Sequence, residues 1–205
     1  MEMLSKWFPG VNMRQQEQFE AMEPLYREWN SHINVISRKD MDNLFTHHIL
    51  HSLAIAKVID FPAGSTVLDV GTGGGFPGIP LAVLFPSSHF TLCDSIGKKV
   101  KVAQAVADAL QLSNVTCVNS RAEDLPGRFD YIVSRAVTDL ASFYPWVKGK
   151  YKNAVFYLKG GELGEEIDRC ARQCRIDPAK FMQARISNWF GDPFFEEKKI
   201  VIISQ

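Results

Sequence analysis

The chain has no excess of charge of either sign: over 205 residues, 23 basic side chains balance 23 acidic ones. That balance argues against a general nucleic-acid coat protein and confines any nucleic-acid contact to a local basic face. Long apolar runs are absent too. None approaches the roughly 18 residues of a membrane span, and the amino terminus carries no secretory pattern, so a cytoplasmic protein is expected. Cysteine is scarce. Cys93, Cys117, Cys170 and Cys174 include no C-x-x-C pair, which excludes the usual paired-thiol motif, and Cys93 and Cys117 read as buried, reduced thiols in strand-like runs. There is no internal repeat and no low-complexity segment. The length suits one α/β domain with an appendage rather than two full domains.

What is present changes rhythm near residue 60. Before it, "MRQQEQFEAMEPLYREWN" places Phe19, Met22, Leu25, Tyr26 and Trp29 at helical spacing, with Pro24 interrupting the pattern. A second helix is expected from Met41 to Ile59, with Asp40 as its N-cap. Residues 1–60 thus read as a helical extension, and 61–205 as the main domain. From Ser65 strands and helices alternate: Thr66–Val70, Phe90–Asp94, Val115–Val118, Tyr131–Ser134 and Ala154–Lys159 are strand-like, and Lys98 to Leu112 is the clearest helix. Alternation of this kind predicts right-handed crossovers and a parallel sheet. "MQARISNWF" and "KKIVIIS" close the chain as two strands across a short turn, hence an antiparallel hairpin. A parallel sheet ending in such a hairpin resembles the seven-stranded, Rossmann-like sheet of class I methyltransferases.

The stretch "VLDVGTGGGFPGIPLA", Val67 to Ala82, breaks a buried strand with five glycines and two prolines and then starts a helix. A strand, a glycine turn and a helix start together hold a nucleotide-like ligand. A dinucleotide turn begins directly after its strand. Here the register from Gly71 fails because residue 76 is Phe, and "GGGFPG" from Gly73 fits only if the strand ends two residues late. Asp69, at the strand end, would repel a pyrophosphate but suits the ammonium and sulfonium of S-adenosyl-methionine. Asp94 ends the next strand, where a carboxylate accepts ribose hydroxyls of either cofactor. The turn glycines Gly71, Gly73 and Gly75, with Asp69 and Asp94, are therefore the candidate cofactor residues. "SRAEDL" follows the third strand, in the region that grips adenine in such folds; "AED" reads equally as a solvated helix start.

These segments together resemble the RsmG family, also called glucose-inhibited division protein B, which methylates guanine N7 in small-subunit ribosomal RNA. The resemblance runs from about Trp29 to Gly161 through "WNSHINVIS", "HHILHSL", "LDVGTGGGFPGIPLA", "FTLCDSIGKKV", "SRAEDL", "FDYIVSRA" and "YLKG". It implies a class I methyltransferase fold with an N-terminal helical extension, S-adenosyl-methionine as cofactor, and 16S ribosomal RNA or the small subunit as partner. It also implies that Gly71 and Phe76 hold the cofactor, that Ala122 and Glu123 lie beside the adenine, and that Arg135 belongs to the binding site. His51 stands where many members have Asp.

Guanine N7 has a free lone pair, so alignment matters more than a general base. "SRAV", Ser134 to Val137, replaces the Asn/Asp-Pro-Pro-aromatic motif of amino-group methyltransferases, and no Pro-Cys pair offers a nucleophile for pyrimidine carbon 5. No residue is nominated as an essential acid or base. Arg135 and Lys159 each follow a strand and are positioning candidates; with Arg38 and Arg121 they are also the RNA-binding candidates. By residue type alone, Arg135 serves equally well as a structural ion-pair partner, and Lys148, Lys150 and Lys152 in "WVKGKYK" read as RNA-facing surface or, at least as well, as a solvated loop. His47, His48 and His51 read as polar packing or RNA contact, with no further ligand pair for a metal. Two other activities stay open at this level: a dinucleotide-dependent dehydrogenase, and a non-catalytic RNA-binding or ribosome assembly factor.

Overall fold

The computed structural model describes the backbone of residues 2–205 and the side chains from Leu4 onward. Helix α1 (Glu2–Trp7) leads into α2 (Met13–His32), whose first turn is closed by a reciprocal Asn12–Gln15 capping box. Pro24 does not break α2. It sits at an exposed position, and the buried stripe Phe19, Met22 and Tyr26 continues past it.

The second expected helix is not one regular helix. Arg38–Asn43 is a 3-10 segment and Leu44–Leu50 a π-helical one, followed by a three-residue α3 (His51–Leu53) and another 3-10 turn, Ala54–Lys57. Asp40 lies inside the first of these and caps nothing; its carboxylate instead bonds His47 and His48. The i→i+5 pairing of a π segment alters the side-chain phase of a helix, as is common at functional sites.

The rest is an α/β domain. In chain order it comprises β1 (Thr66–Val70), α4 (Gly78–Leu84), β2 (His89–Asp94), α5 (Gly97–Ala109), β3 (Val115–Asn119), β4 (Phe129–Arg135), α6 (Leu140–Val147), β5 (Tyr151–Gly160), α7 (Gly164–Cys174), β6 (Phe181–Arg185) and β7 (Lys198–Ser204). The strands form one seven-stranded sheet in the order β3-β2-β1-β4-β5-β7-β6. All neighbours pair in parallel except those of β7, which runs against both β5 and β6. The hairpin is looser than the sequence suggests. The strand ends at Arg185 because Ile186 and Phe190 leave the sheet and are fully buried in the core, and two short 3-10 turns intervene before β7.

Alternation along β1 sorts its side chains between two cores. Val67 joins Met22, Ile79, Phe90 and Val102 beneath α2, α4 and α5; Leu68 and Val70 join Ile132, Phe143 and Ile167 beneath α6 and α7. Burying each of these large apolar side chains contributes about 1.5–3 kcal/mol relative to exposure. Strand order reverses between β1 and β4, and a crevice opens there, outside the carboxyl ends of the strands.

Candidate functional site

A cleft of about 500 Å³ occupies that crevice, bordered by the glycine turn, the ends of β2 and β4, and the loop after β3. The turn is built for close approach. Gly71 has φ +68°, and a Cβ there would lie 2.5 Å from Val137 Cγ2; Gly75 has φ +112°, and its Cβ would lie 2.4 Å from Ile79 Cδ1. A side chain at either position would strain the backbone and displace the neighbour it meets. The N–H groups of Gly71 and Thr72 both donate to the Cys93 carbonyl, fastening the turn to the end of β2.

Asp94 extends that fastening. Its Oδ2 accepts from the Gly73 N–H at 2.9 Å and its Oδ1 from the Ile96 N–H at 2.8 Å. The carboxylate therefore faces the cleft with both oxygens anchored and lone pairs left over for a hydroxyl-bearing ligand. Ala122 and Glu123 form a short 3-10 turn after β3 and line the same cavity, as do Arg121, Lys99 and Trp146. Burial first, then the nearby Asp94 charge, pushes the Cys93 thiol up to about 11, so it stays protonated.

Asp69 is placed differently from the sequence expectation. It shares the face of Val67, away from the cleft lining, and is fully buried. Its Oδ2 accepts from Thr72 Oγ1 at 2.6 Å and from the Gly78 N–H at 2.8 Å, at the start of α4, while Oδ1 has no protein partner. Burial raises its pKa to about 7, against the lowering effects of those two bonds and of Arg135. Asp69 is thus the foundation of the turn rather than its ligand surface, and Gly75 likewise lies behind the lining.

The N-terminal segment closes the turn from the other side. Tyr26 donates its hydroxyl to the Gly74 carbonyl at 2.8 Å, and its ring packs 4.7 Å from that of Phe76. Val35 presses on Gly74, where a Cβ would lie 2.8 Å from Val35 Cγ2. The Asn30 side chain sets that contact by accepting from the N–H groups of Val35 and Ile36 and donating to the Ile36 carbonyl.

Arg135, at the end of β4, borders the cleft with its guanidinium 5.0 Å above the Phe76 ring. It donates to the His47 carbonyl at 3.2 Å and bonds His48 Nδ1 at 3.0 Å. Burial lowers its pKa to about 10, so the charge is kept at neutral pH. Lys159 does not reach the cleft. Its ammonium is committed to Glu166, at 2.5 Å, and to the Thr138 carbonyl, which corrects its reading as a phosphate or base ligand. Arg38 is exposed on the 3-10 segment, outside the cleft lining, whereas Arg121 is on it. Sequence reasoning missed Tyr26, Val35 and the bond from His48 to Arg135; the "WNSHINVIS" connector was the available signal. Among the described residues no cluster of His, Cys, Asp and Glu is arranged to hold a metal.

Known proteins give this geometry its context. The family described as rRNA small subunit methyltransferase G (GidB) matches residues 15–188. Two ribosomal RNA small subunit methyltransferase G proteins align over nearly all of both chains. The one from Flavobacterium psychrophilum is 54% identical, covering 98% of this chain and 96% of its own. The one from Bacteroides fragilis is 47% identical, with both chains covered completely. Among solved structures, magnesium protoporphyrin IX methyltransferase from Synechocystis superposes with a TM-score of 0.61 over 89% of this chain and 96% of its own, at 14% identity. A SAM-dependent methyltransferase from Aquifex aeolicus gives 0.57 over 82% and 98%, at 18% identity. These two speak for the fold; the match across residues 15–188 and the relatives at about half identity speak for more, and by them the chain belongs to the rRNA small subunit methyltransferase G family.

Proposed function

We propose that this protein transfers a methyl group from S-adenosyl-methionine to N7 of a guanine in small-subunit ribosomal RNA, acting in the cytoplasm on the RNA or the assembled subunit. The observation that carries the reading is the cleft at the β1/β4 switch point, with an anchored carboxylate, Asp94, facing a glycine turn in a chain of this family. When bound, the cofactor supplies an electrophilic sulfonium methyl.

The residues present fit that cofactor. Asp94 has acceptor capacity for ribose hydroxyls, Ile96 and Ala122 give apolar surface to an adenine, and Gly71 and Gly73 let a ligand approach the backbone. Arg135 keeps a fixed positive charge beside the turn. The chain's part in the reaction is alignment. N7 needs no deprotonation, and no histidine lines the cleft to act as a base. Arg121 and Lys99 put basic groups at the mouth for phosphates, which reconciles a neutral chain with an RNA substrate. No helix among the described residues is long and apolar enough to cross a membrane.

The test uses small subunits from cells lacking this protein, labelled S-adenosyl-methionine, and nucleoside analysis of the digested RNA. Labelled 7-methylguanosine, lost in Asp94→Ala, is the expected result. Label in another nucleoside overturns the N7 assignment, and RNA binding without any label points to an assembly factor.

A further inference from the structure

The Arg135 guanidinium is held by a chain of side chains that reaches away from the cleft. Arginine only donates, so the 3.0 Å bond to His48 Nδ1 requires that nitrogen to be an acceptor. The imidazole proton must then sit on Nε2, which lies 2.6 Å from Asp40 Oδ2. Asp40 Oδ1 is bonded to His47 Nδ1, and the His47 ring stacks on Phe194 at 3.8 Å between centroids. His48 also meets the Phe76 ring edge-on at 5.3 Å, the same ring over which Arg135 lies. With Asp40 ionised, each of its two oxygens accepts from one imidazole, and every bond in the series is satisfied.

We infer that Asp40 and His48 are positioning residues for methyl transfer: the carboxylate fixes the imidazole in one tautomer, and the imidazole fixes the orientation of Arg135 at the cleft. Neither residue borders the cleft itself. Two N–H groups of Arg135 are tied back, to the His47 carbonyl and His48, so its remaining donors have a defined direction. Burial and the Arg135 charge hold the His48 pKa down to about 4, so the imidazole is neutral and able to accept throughout the physiological range. The irregular 38–50 segment is what makes the arrangement reachable, since it brings His47 and His48 onto one carboxylate. The inference rests on the methyl-transfer reading above.

The test is Asp40→Asn, which keeps the shape but offers one oxygen to two imidazole N–H groups. When His48 loses its acceptor it can present Nε2 as a lone pair, and its Nδ1–H then opposes the Arg135 donor. Expected is a fall in kcat of about 10-fold or more, with KM for the subunit little changed and the melting temperature near wild type. An unchanged kcat, or a loss of activity that only tracks loss of folded protein, overturns the assignment. Nitrogen-15 spectra of the imidazoles decide the matter independently of any variant's folding. At pH 7 the wild-type protein should show His48 protonated at Nε2 alone, with that preference relaxed in Arg135→Met; a proton on Nδ1 overturns the relay. If the wild-type protein transfers no methyl at all, the functional reading fails, while the spectra still judge the relay.

Discussion

The two walls of the cleft are held by different kinds of contact. On the β2 side, the Asp94 carboxylate anchors the N–H groups of Gly73 and Ile96, and the Cys93 carbonyl anchors those of Gly71 and Thr72, all within two adjacent parallel strands and their exits. On the β4 side, Arg135 depends on His47 and His48, more than eighty residues earlier in the chain. The first wall follows from the fold: any sheet with this order and a carboxylate at the end of β2 brings it to the turn. The second depends on an irregular segment, residues 38–50, that lies outside the sheet and reaches it only through tertiary packing. A local wall withstands change outside it; a long-range wall transmits such change to the site.

Substitutions that separate the two walls should differ in kind. The largest effect is expected from Gly71→Val, which places a branched side chain at φ +68° and against Val137. Cofactor binding measured by calorimetry should be abolished, and a variant that still binds would show that the turn yields. Lys159→Met should lower stability by roughly 1.5–3 kcal/mol in denaturant melts, because it removes the cation from Glu166 and leaves that carboxylate with the Leu140 N–H. The salt dependence of RNA binding should stay the same; a shallower slope would return Lys159 to the RNA surface. Asp94→Ala removes two charge-assisted bonds of the local wall, each worth about 1.5–3 kcal/mol, and should weaken cofactor affinity by at least about 10-fold.

The last expected effect is a slope with pH rather than a loss. The pKa of Asp69 in the folded chain, about 7, lies above its ordinary value of 3.8. The folded state therefore holds the proton more tightly than the unfolded state, and stability falls as pH rises from about 4 to about 7. Asp69→Asn keeps an oxygen for Thr72 and Gly78 and removes the titration. Melting temperatures followed across that window should lose this part of the decline; an identical decline would assign it to other groups.

The same division decided what was legible. The parallel sheet, its reversed β7 and the position of Asp94 all follow from strand periodicity and from which residues end each strand. The placements of Lys159 and Asp69 do not. A lysine after a strand is equally suited to a phosphate or to a glutamate seven residues on, and only packing shows that Glu166 takes it. Asp69 was expected to meet the ligand because it ends β1 beside the glycines; the alternation of the strand, also written in the sequence, turns it instead toward Gly78. Asp40 looked like an N-cap because it precedes a helical pattern. Its use by two histidines requires a π-helical phase that hydrophobic spacing does not encode.

The hydroxyl of Tyr26 on the Gly74 carbonyl, with Val35 and Phe76 around it, makes the seating of the N-terminal segment and the occupancy of the turn linked equilibria. A ligand that favours one geometry of the turn must also favour the docked form of α2, and by the same free energy a docked α2 must favour the ligand. Amide exchange along α2 is therefore expected to slow when cofactor is added, although no part of that helix borders the cleft.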